Sequence, residues 1–158
     1  TEFGKELISS QWAFAEFETL SALWSRGLAV PYPVQFDGTE ILMEFVGRDG
    51  IAAPRLADSR PSPEALPGLF EQLKDLMTRL AELGWAHGDL SPFNVLADVD
   101  RLVVIDWPQI VDVIGNPRGF EFLERDARTM AAWFTRRGYA VDPGEFFARL
   151  LGAVTSRW

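Results

Sequence analysis

The 158-residue sequence predicts an α+β fold, weighted toward helix and divided unevenly into two parts. Three observations lead there. Three segments carry apolar residues at helical spacing, two stretches alternate around short Asp-containing turns as β-hairpins do, and a polar loop joins the second helix to the second hairpin. With 47% hydrophobic and 13% aromatic residues, the chain can bury one sizeable core.

The first helix is expected over residues 10–26, with Ser10 as its cap and Gly27 as its terminator. At 100° per residue, Trp12, Ala13, Phe17, Leu20, Leu23 and Trp24 share a face, and Glu16 projects from its middle. A carboxylate inside an apolar stripe needs a partner, because an unpaired buried charge is costly. Such a Glu can hold a lysine from a neighbouring strand, and Glu16 is the candidate for that role. The alternative is a Glu at the stripe's edge that reaches water.

Val30-Pro31-Tyr32-Pro33 then forms a rigid connector to a hairpin of Val34-Gln35-Phe36 and residues 41–46 around an Asp37-Gly38 turn. Residues 48–63 are rich in Pro, Gly and polar side chains, so a surface connection is expected. Leu69, Leu73, Leu76, Met77, Leu80 and Leu83 recur at helical spacing between Pro67 and Gly84 and need no role beyond the core. A short hairpin follows, with residues 95–97 and 101–105 as its strands and Asp98-Val99-Asp100 between them. Residues 120–137 make another amphipathic helix, with Phe122, Asp126, Met130 and Trp133 near one face, and Asp142-Pro143 opens a last one.

Charge and composition exclude several classes. A formal charge of -8 opposes polyanion binding driven by net field. Arg125, Arg128, Arg136 and Arg137 cluster, but acidic residues interrupt them as on a solvated helix face. Without cysteine there is no disulfide framework and no thiolate zinc site. No apolar run approaches the ~18 residues of a membrane span, so a cytoplasmic protein is expected. The first residue is Thr, not Met, which suggests a piece of a longer chain.

The chemistry concentrates in His87-Gly88-Asp89-Leu90-Ser91-Pro92-Phe93-Asn94 and in Val103-Val104-Ile105-Asp106. An Asp, an Asn five residues on, and an Asp closing an apolar strand is an arrangement kinases use for phosphoryl transfer. Mg2+ takes one or two protein oxygens beside phosphate oxygens, and Asn94 and Asp106 would supply them. Asp89 would then accept a proton from the attacking hydroxyl or align a water. Separately, Gly88, Asp89, Pro92 and Asn94 could build only a polar turn, and Asp106 could merely end a strand. His87, the one histidine, suits a structural hydrogen-bonding role better than acid–base work. If the chain is a kinase, the end of the first hairpin is the hinge, where backbone groups of Glu44 and Val46 would meet an adenine edge.

The order of further motifs resembles the RIO family of atypical serine protein kinases. It is carried by Trp12-Ala13 with Glu16 and Leu20, Leu42-Met43-Glu44-Phe45-Val46-Gly47, Ala53-Pro54-Arg55-Leu56, the catalytic stretch, Ile105-Asp106-Trp107-Pro108-Gln109, Asn116-Pro117, Glu121-Phe122-Leu123 with Arg125-Asp126, and Trp133-Phe134, over residues 12–134. The resemblance implies a protein-kinase-like fold of RIO type, mostly the helical C-lobe (47–158) with a partial N-lobe (1–46) and a hinge near 44–47. It implies ATP and Mg2+ as cofactors, Asp89 as base, Asn94 and Asp106 on the metal, and Leu96 and Ile105 flanking the adenine. Asp106 can also be the phosphoryl acceptor in this family, so ATPase switching stands beside transfer to a serine.

Two departures stand out. No Gly-rich loop or strand Lys precedes Glu16, since Lys5 is the only earlier Lys and residues 2–7 lack that strand's pattern; nor does an activation loop follow Asp106. A non-catalytic docking domain and a small-molecule phosphotransferase of aminoglycoside-kinase type are the alternatives. The acceptor, an unknown protein or the chain itself, is not legible in the residues.

Overall fold

Helix α1 of the computed structural model spans Glu2–Ser25 and packs on a hairpin of β1 (Pro33–Asp37) and β2 (Glu40–Met43). The structure describes residues 2–99, 101–107 and 110–156, with side chains from residue 9 onward. Helix α1 therefore starts well before Ser10, which lies inside it and caps nothing. Glu, Lys and Leu in residues 2–9 are good helix formers, and a serine is tolerated within a helix that already runs through it.

The predicted stripe is only partly buried. Ala13, Leu20 and Leu23 are covered, whereas Trp12 and Trp24 are exposed, and Phe14, outside the stripe, meets Phe36 edge-on at 5.5 Å. The hairpin is the chief cover of this helix, and two strands are narrower than the apolar face. Its register pairs Phe36 with Ile41 and Asp37 with Glu40. The two-residue loop is thus Gly38-Thr39, one position later than the Asp-Gly turn expected, with Gly38 at φ 64° as the tight loop demands.

The chain leaves β2 at Met43, before the predicted end, and makes a minimal hairpin of β3 (Gly47–Arg48) and β4 (Ile51–Ala52). Residues 53–57 do not simply cross the surface. The Leu56 N–H donates to the Val95 carbonyl at 2.7 Å and the Ala97 N–H to the Pro54 carbonyl at 2.9 Å, so the segment lines the edge of the second hairpin. Leu56 is fully buried there. One apolar residue in a polar stretch gives no periodic signal, which is why the sequence suggests a loop.

Helix α2 (Leu66–Glu82), with Pro67 in its first turn, packs against α4 (Pro143–Thr155), and α4 packs on α3 (Gly119–Arg136). Phe70 is the centre of this layer, 5.2 Å from Phe134 and 5.3 Å from Phe146, ring to ring. Asp142 caps α4 by accepting the Glu145 N–H at 2.8 Å, as its sequence predicts. Strands β6 (Val95–Asp98) and β7 (Arg101–Val104) pair in the expected hairpin, Val95 opposite Val104. Asp100 of its turn lies outside the described residues. Two-residue strands β5 (Trp85–Ala86) and β8 (Val111–Asp112) also pair, a contact too short to leave any pattern in the sequence.

Leu56→Ala should cost about 2–5 kcal/mol, read as a lower urea midpoint at unchanged slope. A cost under about 1 kcal/mol would mean that residues 53–57 are peripheral after all.

Candidate active site

The loop from His87 to Asn94 is held from below by one buried carboxylate. Asp126, on the inner face of α3, accepts the Gly88 N–H at 2.7 Å and the Leu90 N–H at 2.9 Å. Gly88 adopts φ 86°, and a Cβ there would come within 2.5 Å of Val111 Cγ2, so only glycine fits between the loop and β8. The adjacent Arg125 donates to the Gly88 carbonyl, and its Nη2 lies 3.6 Å from Asp89 Oδ1. Asp89 itself is exposed.

Farther along, the loop closes on itself. Asn94 Nδ2 donates to the Asp89 carbonyl at 3.0 Å, and Ser91 Oγ donates to Asn94 Oδ1 at 3.2 Å. The Asn94 carbonyl in turn receives the Ile105 N–H at 2.8 Å. That bond ties the loop to the end of β7, one residue before Asp106. The Asn94 side-chain amide thereby ties it to the Asp89 backbone, and the Asn94 carbonyl ties it to the residue before Asp106.

Asp106 sits at φ 63°, a left-handed backbone that Asp visits more readily than most side chains. The next residue explains the turn: Trp107 is buried, and its Nε1 donates back to the Val104 carbonyl at 3.0 Å. Asp106 is left exposed, and its carboxylate has no hydrogen-bond or ion-pair partner among the described residues. Pro108 and Gln109, part of the sequence resemblance, lie outside them. His87 is buried against the Trp107 ring at 4.5 Å, and its Nδ1 faces the Asp89 N–H at 3.3 Å. Burial holds its pKa below the usual value, against the opposing pull of the Ile105 backbone and of the Asp106 and Asp89 charges. Its Nε2 is buried with no hydrogen-bond partner among the described residues.

The hinge candidates divide their functions between side chain and backbone. The Glu44 carboxylate accepts the Tyr32 N–H at 3.1 Å and pairs with Arg101 of β7 at 3.2 Å, while its own N–H donates to the Tyr32 carbonyl. The Glu44 carbonyl and the Val46 N–H make no hydrogen bond among the described residues. Leu96 and Ile105 are both half-buried, and strand alternation sets them on the same face of the second hairpin as Val103. Glu16 is half-buried on α1 with no ion pair among the described residues, so the partner expected for it is not among them. The Lys5 side chain lies outside the described set.

Sequence reasoning passed over the roles of Arg125 and Asp126. The signal was present, since Asp126 falls on the apolar face of its helix just as Glu16 does, but which backbone would meet it depends on tertiary packing.

The arrangement of helical layer, short hairpins and loop is that of a protein-kinase-like fold, and comparison with known proteins agrees. The RIO domain family model matches residues 2–146. The chain belongs to the RIO domain family. It is 36% identical over 132 residues to the serine/threonine-protein kinase RIO3 of Caenorhabditis elegans, covering 80% of this chain and 26% of that protein. It is 34% identical over 142 residues to the RIO-type serine/threonine-protein kinase Rio1 of Haloferax volcanii, covering 89% and 48% respectively. Among solved structures, the Rio2 kinase of Chaetomium thermophilum superposes with a TM-score of 0.77 at 28% identity, over 94% of this chain and 46% of that one. The ADP/Mg2+-phosphoaspartate complex of the same kinase gives 0.72 at 26%, over 95% and 50%. The chain thus spans about half or less of the length of these relatives. Among the described residues no helix is long and apolar enough to cross a membrane.

Burial pushes the Asp126 carboxyl from 3.8 up to about 6, although the Gly88 and Leu90 N–H groups and the Arg125 charge pull it down. A raised carboxyl pKa means that the folded state holds the proton more tightly than the unfolded chain. Stability from this group is therefore greatest below pH 3.8 and falls as pH rises to about 6. The difference in unfolding free energy between wild type and Asp126→Asn should change by on the order of 3 kcal/mol between pH 4 and 7. Denaturation across that range checks it, and parallel curves would contradict it.

Proposed function

We propose that this chain carries the phosphoryl-transfer centre of an ATP- and Mg2+-dependent RIO-type serine kinase or ATPase. The observation that carries the reading is the hydrogen-bonded linkage of Asp89, Asn94 and the end of β7 beside Asp106, whose carboxylate has no partner among the described residues. Residues 1–46 serve as a partial N-lobe and residues 47–158 as the C-lobe, with the hinge near 44–47.

The donor set suits magnesium: the Asn94 amide oxygen and the Asp106 carboxylate are hard ligands, and the Asp106 carboxylate has no bond to give up among the described residues. Magnesium, when bound, neutralises charge on the phosphate oxygens. Asp89 accepts the proton of the attacking serine hydroxyl as its oxygen bonds to the γ-phosphorus and the bond to the β-phosphate oxygen breaks. In the ATPase variant of the reading, an Asp106 oxygen bonds to the γ-phosphorus as the bond to the β-phosphate oxygen breaks and ADP leaves, and water later hydrolyses the resulting acyl phosphate to free phosphate. The free Glu44 carbonyl and Val46 N–H offer the acceptor and donor that an adenine edge requires, with Leu96 and Ile105 against its ring. Glu16 offers its carboxylate to a phosphate-holding lysine.

The partners in this reading are a nucleotide and either a protein hydroxyl or Asp106; the charge of -8 gives no support for direct nucleic-acid contact. A cytoplasmic setting, rich in ATP, accompanies it.

Full-length protein should turn over ATP only with Mg2+, and Asp89→Ala and Asp106→Asn should each lower the rate by roughly 10²-fold or more. Undiminished turnover in both variants would refute the assignment. A hydroxylamine-sensitive phosphoenzyme that disappears in Asp106→Asn would separate the ATPase form from direct transfer.

A further inference from the structure

Arg125 and Asp126 are neighbours on α3, yet they grip the catalytic loop by opposite kinds of group. Asp126 takes two N–H donors, of Gly88 and Leu90. Arg125 takes the Gly88 carbonyl and reaches the Asp89 carboxylate. The guanidinium is itself steadied over the Phe122 ring, 5.1 Å from its centroid.

The Asp89 carboxylate has little else to orient it. Its side chain is 84% exposed, and Arg125 is its one ion-pair partner among the described residues. The only Lys or Arg in the loop-and-hairpin stretch 87–106 is Arg101, which is committed to Glu44 at 3.2 Å, and the buried His87 meets the Asp89 N–H through its Nδ1. An exposed carboxylate with free side-chain torsions spends most of its time away from any one acceptor geometry, and ordering it costs entropy at each turnover. One nitrogen, Nη2, both donates to the Gly88 carbonyl and lies at ion-pair distance from Asp89 Oδ1, so the bond to the carbonyl fixes the charge beside the carboxylate; an ammonium would be a point charge on a flexible stem.

We infer that Arg125 is a positioning residue for Asp89: by bridging the Gly88 carbonyl and the Asp89 carboxylate, it holds the base in the orientation that proton transfer needs. The inference rests on the phosphoryl-transfer reading above. It concerns the chemical step and leaves nucleotide binding alone, because Arg125 touches none of the hinge or metal candidates in the described contacts.

The test is a double-variant cycle in full-length protein, with steady-state ATP turnover and calorimetric ADP affinity measured for wild type, Arg125→Gln, Arg125→Lys, Asp89→Asn and the Arg125→Gln/Asp89→Asn pair. Arg125→Gln should lower kcat roughly tenfold or more, with KM and ADP affinity within about twofold. Arg125→Lys should recover part of the loss. In the Asp89→Asn background, Arg125→Gln should change the residual rate by less than about twofold, since the group it acts through is gone. Equal losses in both backgrounds, or a loss of ADP affinity that tracks the loss of rate, would overturn the positioning role and leave Arg125 as scaffold. Absence of turnover in the wild type would remove the phosphoryl-transfer reading and this inference with it, an outcome distinct from an additive cycle.

Discussion

A carboxylate buried under a loop supports the whole candidate site. Asp126 is buried among Met77 and Leu80 of α2, Leu90 and Leu123, where an ionised group loses its water and its proton affinity rises accordingly. Two main-chain donors offset part of that cost, and both come from the loop that bears Asp89. Removing the carboxylate would leave those donors without partners, which is more expensive than never having buried them. The loop and α3 are thus energetically coupled: neither is well satisfied without the other. Gly88 completes the arrangement, because its backbone must pass over Val111 with a φ that side chains avoid.

The second anchor lies on the other side of the site and works by packing. Trp107 fills the core beneath His87 and bonds back to Val104, so the chain must turn sharply between them. Asp106 absorbs the turn in its left-handed backbone. Strain of this kind persists only where the surroundings determine it fully, and here a buried indole on one side and a paired β7 on the other do so. The result is a carboxylate presented outward from a rigid strand end, while Asn94 is fixed by its own amide and by the Ile105 N–H.

Much of this was legible in the residues. The α2 leucine pattern, the Asp142-Pro143 cap and the β6–β7 hairpin all express local rules, so residue order suffices to find them. The same holds for the spacing of Asp89, Asn94 and Asp106, because a short loop followed by a hairpin leaves them few places to go. What failed depended on partners. Ser10 looked like a cap because hydroxyls favour helix starts, yet favourable residues upstream carry α1 through it. Residues 53–57 looked like a loop because one buried leucine, Leu56, makes no pattern. Trp12 and Trp24 fitted the apolar stripe but stay exposed, since periodicity describes the face a helix offers and not the width of what covers it. Asp126 could be seen on an apolar face without any sign of which amides it would meet.

The backbone at position 106 has a further consequence for how this protein tolerates change over time. A left-handed residue between a strand and a buried indole is most comfortable as glycine or asparagine, so a chain drifting under demands of folding alone has an easy exit from aspartate there. If Asp106 does the chemistry proposed for it, this is the residue of the loop-and-strand unit where thermodynamic relief and that role pull apart. In descendants released from chemistry, position 106 is accordingly where decay should begin, while the buried Asp126 and Trp107, on which the shape itself relies, would outlast it.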